Sequence, residues 1–241
     1  MFIVVKRSYI YSGILALILV LGVSAVLPDR DVAEPVSGSS GVISEELIYL
    51  IDPGHGGEDG GAVAADGTTE STLNLEIALR LRDILQFCGK SAAMTREEDA
   101  AIYSPGMETL RQKKASDLKN RVAMANQLEK GVLISIHQNA LPQSPAVHGA
   151  QAFYNTVSGA EEIALRIQQR LNEVINLHKA KECKPIPDSI YLMKHAEIPA
   201  VLVECGFLSN GEETVLLRQA AYQKKLSLAI VAGIWKEEES A

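Results

Sequence analysis

The chain has 241 residues, 47% of them hydrophobic, which is enough for one sizeable core. Its formal net charge of −7 argues against a nucleic-acid partner bound through a basic face. Its three cysteines have no CxxC spacing and therefore predict neither a disulfide framework nor a thiolate metal site. The sequence does not fix the disulfide state of Cys88, Cys183 and Cys205. Cys88 and Cys205 are expected to be small buried residues.

The N-terminus predicts export. Two basic residues precede the uncharged apolar stretch 9–27, so residues 1–27 are interpreted as a signal peptide or a membrane anchor. The positive-inside rule then places the bulk of the chain outside the cytoplasm. The proline-, serine- and glycine-containing stretch 28–45 is predicted to be a linker, and 46–238 a single folded domain.

Strands and helices are predicted to alternate along this domain. Short apolar runs favour strands at 47–51, 91–95, 132–136, 150–155, 189–193 and 199–203. Helical spacing of apolar residues predicts helices at 70–87, 117–128, 160–174 and 220–235, with a polar loop at 97–116. The alternation predicts a three-layer α/β/α sandwich around a mixed, mostly parallel central sheet.

A glycine-rich turn, residues 52–62, follows the first strand and contains His55. A histidine just past a buried strand is well placed for a site in an α/β sheet, although a turn with an incidental histidine fits the same pattern. Asp52 and Asp59 are interpreted either as partners that orient His55 or as residues that stabilise the turn.

Three further residues complete the candidate site. His137 and Glu204 come at the ends of two other predicted strands, and Glu70 begins the first helix. Two imidazoles and a carboxylate are a standard ligand set for a catalytic Zn²⁺, and a second carboxylate is needed to carry protons. Spacing alone leaves open whether Glu70 or Glu204 is the ligand.

Other polar residues receive structural interpretations. Asn139 either contacts substrate or ends its strand, and Arg96 and Arg121 are expected in structural ion pairs. The remaining histidines have no partners at ligand spacing and are expected at the surface or in packing contacts: His148, His178 and His195.

Four segments together resemble the zinc-dependent N-acetylmuramoyl-L-alanine amidases of the bacterial cell wall. They are DPGHGGEDGGA from Asp52, Glu70 with its helix, SIHQNA from Ser135, and VECGFLSN from Val203. Within that family the chain is most similar to the germination-specific amidases of spore formers. The resemblance covers about residues 46–236 and implies a phosphorylase/hydrolase-like fold.

The resemblance also implies roles for the site residues. His55, Glu70 and His137 would be the zinc ligands, and Glu204 the catalytic carboxylate. The substrate would be the amide between the lactyl group of N-acetylmuramic acid and L-alanine on a peptidoglycan strand. Gln138 departs from the small or apolar residue of many relatives, which puts substrate contacts in doubt but removes no ligand.

The biological setting follows from the same resemblance. It implies action on spore cortex during germination, where stripped muramic acid becomes muramic-δ-lactam, and a location in the forespore intermembrane space. Some relatives are assisted by a lipoprotein, so such a partner is expected here. Two alternatives remain: a zinc peptidase that cuts stem peptides, and a non-catalytic wall-binding protein.

Overall fold

The computed structural model describes residues 46–235. The predicted leader at 1–27, the whole predicted linker at 28–45 and domain residues 236–238 lie outside the described residues, so the predicted domain limits stay predictions. Within residues 46–235 no helix is both long enough and apolar enough to cross a membrane.

Six strands and six helices form the domain. The strands are β1 (Ile48–Pro53), β2 (Ser91–Met94), β3 (Gly131–Asn139), β4 (Gln151–Tyr154), β5 (Lys184–Pro185) and β6 (Ala200–Phe207). The helices are α1 (Glu70–Phe87), α2 (Leu110–Asn126), α3 (Ala160–Val174), α4 (Tyr191–His195), α5 (Gly211–Leu217) and α6 (Ala220–Ile234).

The strands form one sheet in the order β2-β1-β3-β6-β4-β5. All neighbouring pairs are parallel except β4 with β6. The carboxyl ends of β1, β3 and β6 therefore meet at one edge. This confirms the predicted mixed, mostly parallel sheet.

Alternation of side chains along the strands divides the core into two layers. On β1, Ile51 packs with α1, α3 and α6 on one face of the sheet. Its neighbour Leu50 packs on the other face with residues of α2 and α4. Both sheet faces are covered by helices, which explains why the central strands are mostly apolar before their carboxyl ends and confirms the three-layer sandwich.

Helix α2 begins earlier than predicted. The polar stretch 97–116 was expected to be a loop, but α2 starts at Leu110 and ends at Asn126. Thr109 and Gln112 form a capping box, which satisfies backbone donors of the first turn. The Thr-x-x-Gln signal is visible in the sequence, but the helix has little apolar periodicity to accompany it.

Two other predictions were wrong, and one helix was missed. The predicted strand 189–193 is the short helix α4. Helix α5 was not predicted, although Asn210 caps it by accepting a hydrogen bond from the Glu213 amide. Cys88 is exposed rather than buried, whereas Cys205 is buried as expected, and all three thiols are free.

Candidate metal centre and active site

The sheet topology assembles the site from elements far apart in sequence. His137 lies within β3 and pairs in register with Glu204 on β6. His55 follows the end of β1, and Glu70 is the first residue of α1. The predicted strands ended too early, since they placed His137 and Glu204 just beyond strands that in fact include them.

His55, Glu70 and His137 form a cluster whose candidate ligand atoms all lie within 4.8 Å of one another. His55 Nε2 is 3.3 Å from Glu70 Oε2, and His137 Nδ1 is 2.9 Å from Glu70 Oε1. The two imidazole rings meet edge to face, with centroids 5.2 Å apart. The carboxylate of Glu70 thus lies between two ring nitrogens.

The backbone of His55 is strained. Its φ is 61°, and it is the one non-glycine residue with positive φ among residues 46–235. This conformation costs about 1 kcal/mol for an L-residue. The strained backbone allows the ring to face Glu70 immediately after the strand ends, and strain of this kind commonly accompanies function.

Asp59 orients the His55 ring. Nδ1 of His55 lies 3.0 Å from Asp59 Oδ2, and because a carboxylate accepts hydrogen bonds, the Nδ1 proton donates here. Nε2 is thereby directed at Glu70. Burial acts to lower the pKa of His55, but hydrogen bonds and charge from Glu70 and Asp59 outweigh it and raise that pKa.

Asp52 does not contact the His55 side chain. It accepts hydrogen bonds from the hydroxyls of Thr95 and Ser135, both at 2.7 Å, and pairs with Arg121 at 2.6 Å. It therefore acts in a buried network beneath the turn. Of the two flanking acids, only Asp59 makes the orienting contact that the sequence had suggested for both.

Glu70 is surrounded by donors. Its oxygens accept hydrogen bonds from the amides of Ala62 and Gln138, at 2.9 and 3.1 Å, and from Asn74 Nδ2 at 3.4 Å. Burial acts to raise the pKa of Glu70, but hydrogen bonds and charges from the two histidines reverse the effect and hold it well below its usual range. Glu70 is therefore a permanent anion.

Glu204 has the opposite environment. The residue as a whole is partly exposed, yet its Oε2 is buried and lacks a hydrogen-bond partner among the described residues. Burial raises the pKa of Glu204 to about 7, and the neighbouring imidazole of His137 lowers it by less. Glu204 can therefore gain and lose a proton near neutral pH.

Two glycines make room for the cluster. A Cβ on Gly54 would overlap the His137 ring, and one on Gly61 would lie 2.6 Å from Glu70 Oε2. Added Cβ atoms on Gly56 and Gly57 would instead meet residues 100 and 101.

The cluster fits Zn²⁺. Two nitrogens and one carboxylate oxygen converge, one imidazole is oriented by a carboxylate, and a second carboxylate with an unpartnered oxygen stands beside them. This is the donor set of a catalytic zinc with one coordination position left for water.

A groove of about 450 Å³ opens over this cluster. It is lined by Lys113, Lys114 and Leu118 of α2 and by residues 189–193 at α4. Lys114 also pairs with Asp59 at 2.7 Å. A groove of this volume can receive a ligand beside the candidate metal ligands.

The other singled-out residues lie elsewhere or play different parts. Asn139 is the last residue of β3 and also lines the groove, so both of its interpretations stand. The three remaining histidines are exposed, as expected: His148, His178 and His195. Arg121 forms the predicted structural ion pairs, whereas the hydrogen bonds of Arg96 go to backbone carbonyls.

Sequence reasoning missed Asn74. Its Nδ2 donates to Gly54 O at 3.1 Å as well as to Glu70, and its Oδ1 accepts from Gln138 Nε2 at 3.2 Å. Asn74 therefore links the glycine turn, the carboxylate and β3. Its position one helical turn after Glu70 was the available signal, since residues four apart share a helix face.

Fold and site define a hydrolase built around a candidate metal centre at the carboxyl edge of an α/β sheet. Comparison with known proteins narrows the class. The profile of a family described as N-acetylmuramoyl-L-alanine amidase matches residues 50–236. The chain belongs to this family, whose members hydrolyse the amide that joins N-acetylmuramic acid to L-alanine in peptidoglycan.

Individual relatives agree with this assignment. The germination-specific N-acetylmuramoyl-L-alanine amidase of Bacillus subtilis is 42% identical over 193 residues, which cover 80% of this chain and 79% of the relative. The CwlD amidase of Clostridioides difficile, solved in complex with the GerS lipoprotein, superposes with a TM-score of 0.74 at 39% identity. That match covers 78% of this chain and 95% of the solved one.

A second solved structure, the N-acetylmuramoyl-L-alanine amidase of Clostridium difficile 630, has a TM-score of 0.68 at 28% identity. It covers 79% of this chain and 96% of its own. The similarity therefore spans almost all of the described domain.

Proposed function

We propose that this protein is a zinc-dependent N-acetylmuramoyl-L-alanine amidase in which His55, Glu70 and His137 hold Zn²⁺ and Glu204 carries the proton. The observation that supports it most is the contrast between two carboxylates at one site. Glu70 is surrounded by donors and stays ionised, whereas Glu204 has a buried, unpartnered oxygen and a pKa of about 7. Such a pair separates a ligand from an acid–base group.

Bound Zn²⁺ supplies an activated water and polarises the amide carbonyl. Residues of the chain carry out the proton transfers. Ionised Glu204 takes the proton released at the water, and protonated Glu204 gives it to the L-alanine nitrogen as the C–N bond breaks. A pKa near 7 suits both halves of this exchange.

We place the substrate in the groove between α2 and residues 189–193. The metal ligands lie at its floor, and Tyr103 and Tyr191 line it. Aromatic side chains of this kind offer flat apolar surfaces beside polar groups, which suits a sugar–peptide junction. In this arrangement the glycan and the stem peptide leave the site in opposite directions along the groove.

The cellular role is proposed from the relatives. The germination-specific amidase of B. subtilis and the CwlD amidase of C. difficile support spore cortex as the substrate and germination as the process. The GerS lipoprotein bound to CwlD supports a lipoprotein partner for this chain. The apolar stretch at residues 9–27 supports action outside the cytoplasm.

The reaction is tested by mass spectrometry of purified cortex peptidoglycan after digestion. We expect free L-alanine amino termini on released stem peptides and peptide-free muramic acid on the glycan, and neither product with Glu204→Gln. Release of shortened stem peptides that remain attached to the glycan would identify a peptidase instead. Binding without any cleavage, in zinc-loaded protein, would identify a wall-binding protein.

The partner is tested by isolating the tagged chain from sporulating cells and identifying co-purifying lipoproteins. A stoichiometric lipoprotein is expected. Full cortex-cleaving activity of the purified chain, together with no lipoprotein recovered under mild detergent, would overturn the partner proposal while leaving the reaction intact.

A further inference from the structure

Three consecutive backbone carbonyls follow the end of β1, those of Pro53, Gly54 and His55. All three accept hydrogen bonds from two buried arginines, Arg96 and Arg121, which we call the arginine pair. The two residues are 4% and 1% exposed. A turn with a strained histidine is thus held from beneath by two guanidinium groups.

Arg121 holds His55 itself. Its Nη2 donates to His55 O and its Nη1 to Pro53 O, both at 2.8 Å. Carboxylates of Asp52 and Asp117 lie 2.6 and 2.7 Å from the same guanidinium. Arg121 therefore fixes the backbone of the strained residue within a buried ion cluster.

Arg96 makes a different connection. Its Nη2 donates both to Gly54 O and to Ser71 O, each at 3.0 Å. Ser71 immediately follows Glu70 in the first turn of α1. One nitrogen therefore joins the turn that carries His55 to the helix that carries Glu70.

Direct ion pairing does not account for Arg96, although the more distant carboxylates of Asp52, Asp99 and Asp117 favour its charge. In the described part of the chain it has no salt bridge, and its hydrogen bonds go to the carbonyls of Pro53, Gly54, Ser71 and Glu98. A buried cation without a carboxylate partner is costly. A planar guanidinium can reach several carbonyls in fixed directions, which the single ammonium of lysine cannot do.

We propose that Arg96 is a positioning residue for the metal centre, fixing the His55 turn against the first turn of α1 and so setting the separation of His55 and Glu70. The proposal rests on the assignment of these two residues as zinc ligands. Arg121 supports it by holding the His55 carbonyl. Neither arginine touches substrate or metal.

The test compares Arg96→Lys with Arg166→Lys. Arg166 also donates to a backbone carbonyl, that of Gly233, but lies far from the site on α3. We expect Arg96→Lys to weaken zinc binding 10- to 100-fold in chelator competition, as loss of groups that support ligands does. Excess zinc should restore much of its activity, and Arg166→Lys should bind zinc normally.

A second readout needs no metal. In chelator-treated protein, hydrogen exchange of the peptide containing residues 54–59 should accelerate in Arg96→Lys and stay unchanged in Arg166→Lys. The amides of Gly54, Gly56 and Asp59 are all hydrogen-bonded in this turn. A folded Arg96→Lys protein with zinc affinity within twofold of wild type and unchanged exchange would overturn the proposal.

If Arg96→Lys does not fold, the variants Gly56→Ala and Gly57→Ala provide a second test. A Cβ on Gly56 would lie 2.9 Å from Arg96 Nε, whereas one on Gly57 would meet Ala101 and not Arg96. Gly56→Ala should weaken zinc binding more than Gly57→Ala, and equal affinities would count against the proposal. Glu70→Gln tests the ligand assignment separately from the positioning role of Arg96. If Glu70→Gln keeps zinc, the ligand assignment fails, whatever Arg96 does.

Discussion

Glu70 and Glu204 lie on two sides of the metal centre and have opposite environments. On the α1 side, Glu70 is 4% exposed yet accepts hydrogen bonds from two backbone amides and a side-chain amide and faces two imidazoles. On the β6 side, Glu204 Oε2 is buried with no partner among the described residues. Burial alone would raise both pKa values, so the donors decide the difference.

The comparison separates the two roles that a zinc hydrolase needs. An anion stabilised in place is suited to hold a cation, and a carboxylate whose pKa lies near neutrality is suited to exchange protons. The same residue type performs both because two imidazoles and two backbone amides face Glu70, whereas Glu204 Oε2 is buried without a donor among the described residues. Each of the following experiments alters one side and leaves the other intact.

The largest effect is expected for Glu204→Gln. Loss of the proton carrier should reduce amide hydrolysis about 10³-fold while the zinc content stays at the wild-type level. Glu213→Gln is the control, because Glu213 is also a buried carboxylate with a raised pKa but accepts hydrogen bonds from the amides of Gly149 and Phe207 outside the cluster. Equal activity in Glu204→Gln and Glu213→Gln would contradict the role of Glu204 as the proton carrier.

Unfolding free energy should respond to Glu204 in a defined pH window. The pKa rises from 4.5 in the unfolded chain to about 7 in the folded one, so the folded state favours the protonated form. Its contribution to stability is full below pH 4.5 and is lost as pH rises through 7. In chelator-treated protein, Glu204→Gln should therefore gain about 3 kcal/mol over wild type between these limits.

Denaturant titrations of wild type and Glu204→Gln at several pH values measure this gain. Other titrating groups cancel in the difference between the two proteins. A difference independent of pH would show that the pKa of Glu204 is the same in the folded and unfolded chains, which would contradict the raised pKa.

A smaller effect is expected on the His137 side. A Cβ at Gly54 would overlap the His137 ring, so Gly54→Ala should displace this ligand and reduce zinc affinity about 100-fold. Gly60→Ala is the matched control in the same turn, because its Cβ would make ordinary contacts with Thr69 at 3.6 Å. Isothermal titration with zinc distinguishes them, and similar affinities would show that the ring tolerates the displacement.

The smallest effect is expected for Asp59→Asn. An amide in place of the carboxylate weakens the orientation of the His55 ring and should lower zinc affinity about tenfold. Asp99→Asn is the control, since Asp99 accepts from the Gly57 amide but does not reach the histidine. Chelator competition measures the zinc affinity of both variants. Equal zinc affinities in Asp59→Asn and Asp99→Asn would contradict the orienting role of Asp59.

Much of the fold could be predicted from local pattern. Helices α1 and α3 were predicted with their observed limits because their apolar residues recur at helical spacing. Helix α2 was predicted to start seven residues too late because its first two turns are polar. Short elements such as α4 depend on tertiary contacts, and a five-residue apolar run cannot distinguish a strand from a helix.

The four residues of the candidate site could also be named from the sequence, because a sheet gathers the ends of parallel strands. Which of them is a metal ligand and which is the proton carrier could not be derived from spacing. It depends on amides that belong to distant residues, such as Ala62 and Gln138 at Glu70. The roles of Arg96 and Asn74 were hidden for the same reason, since their partners are backbone carbonyls and a carboxylate brought near by the fold.

The most direct test is equilibrium dialysis of zinc against wild type, Glu70→Gln and Glu204→Gln in parallel. The two variants carry the same chemical change at the two contrasting positions. We predict one tightly bound zinc per chain in wild type and in Glu204→Gln, and an affinity at least about 100-fold weaker in Glu70→Gln. Loss of zinc in Glu204→Gln with wild-type binding in Glu70→Gln would contradict the assignment of ligand and proton carrier.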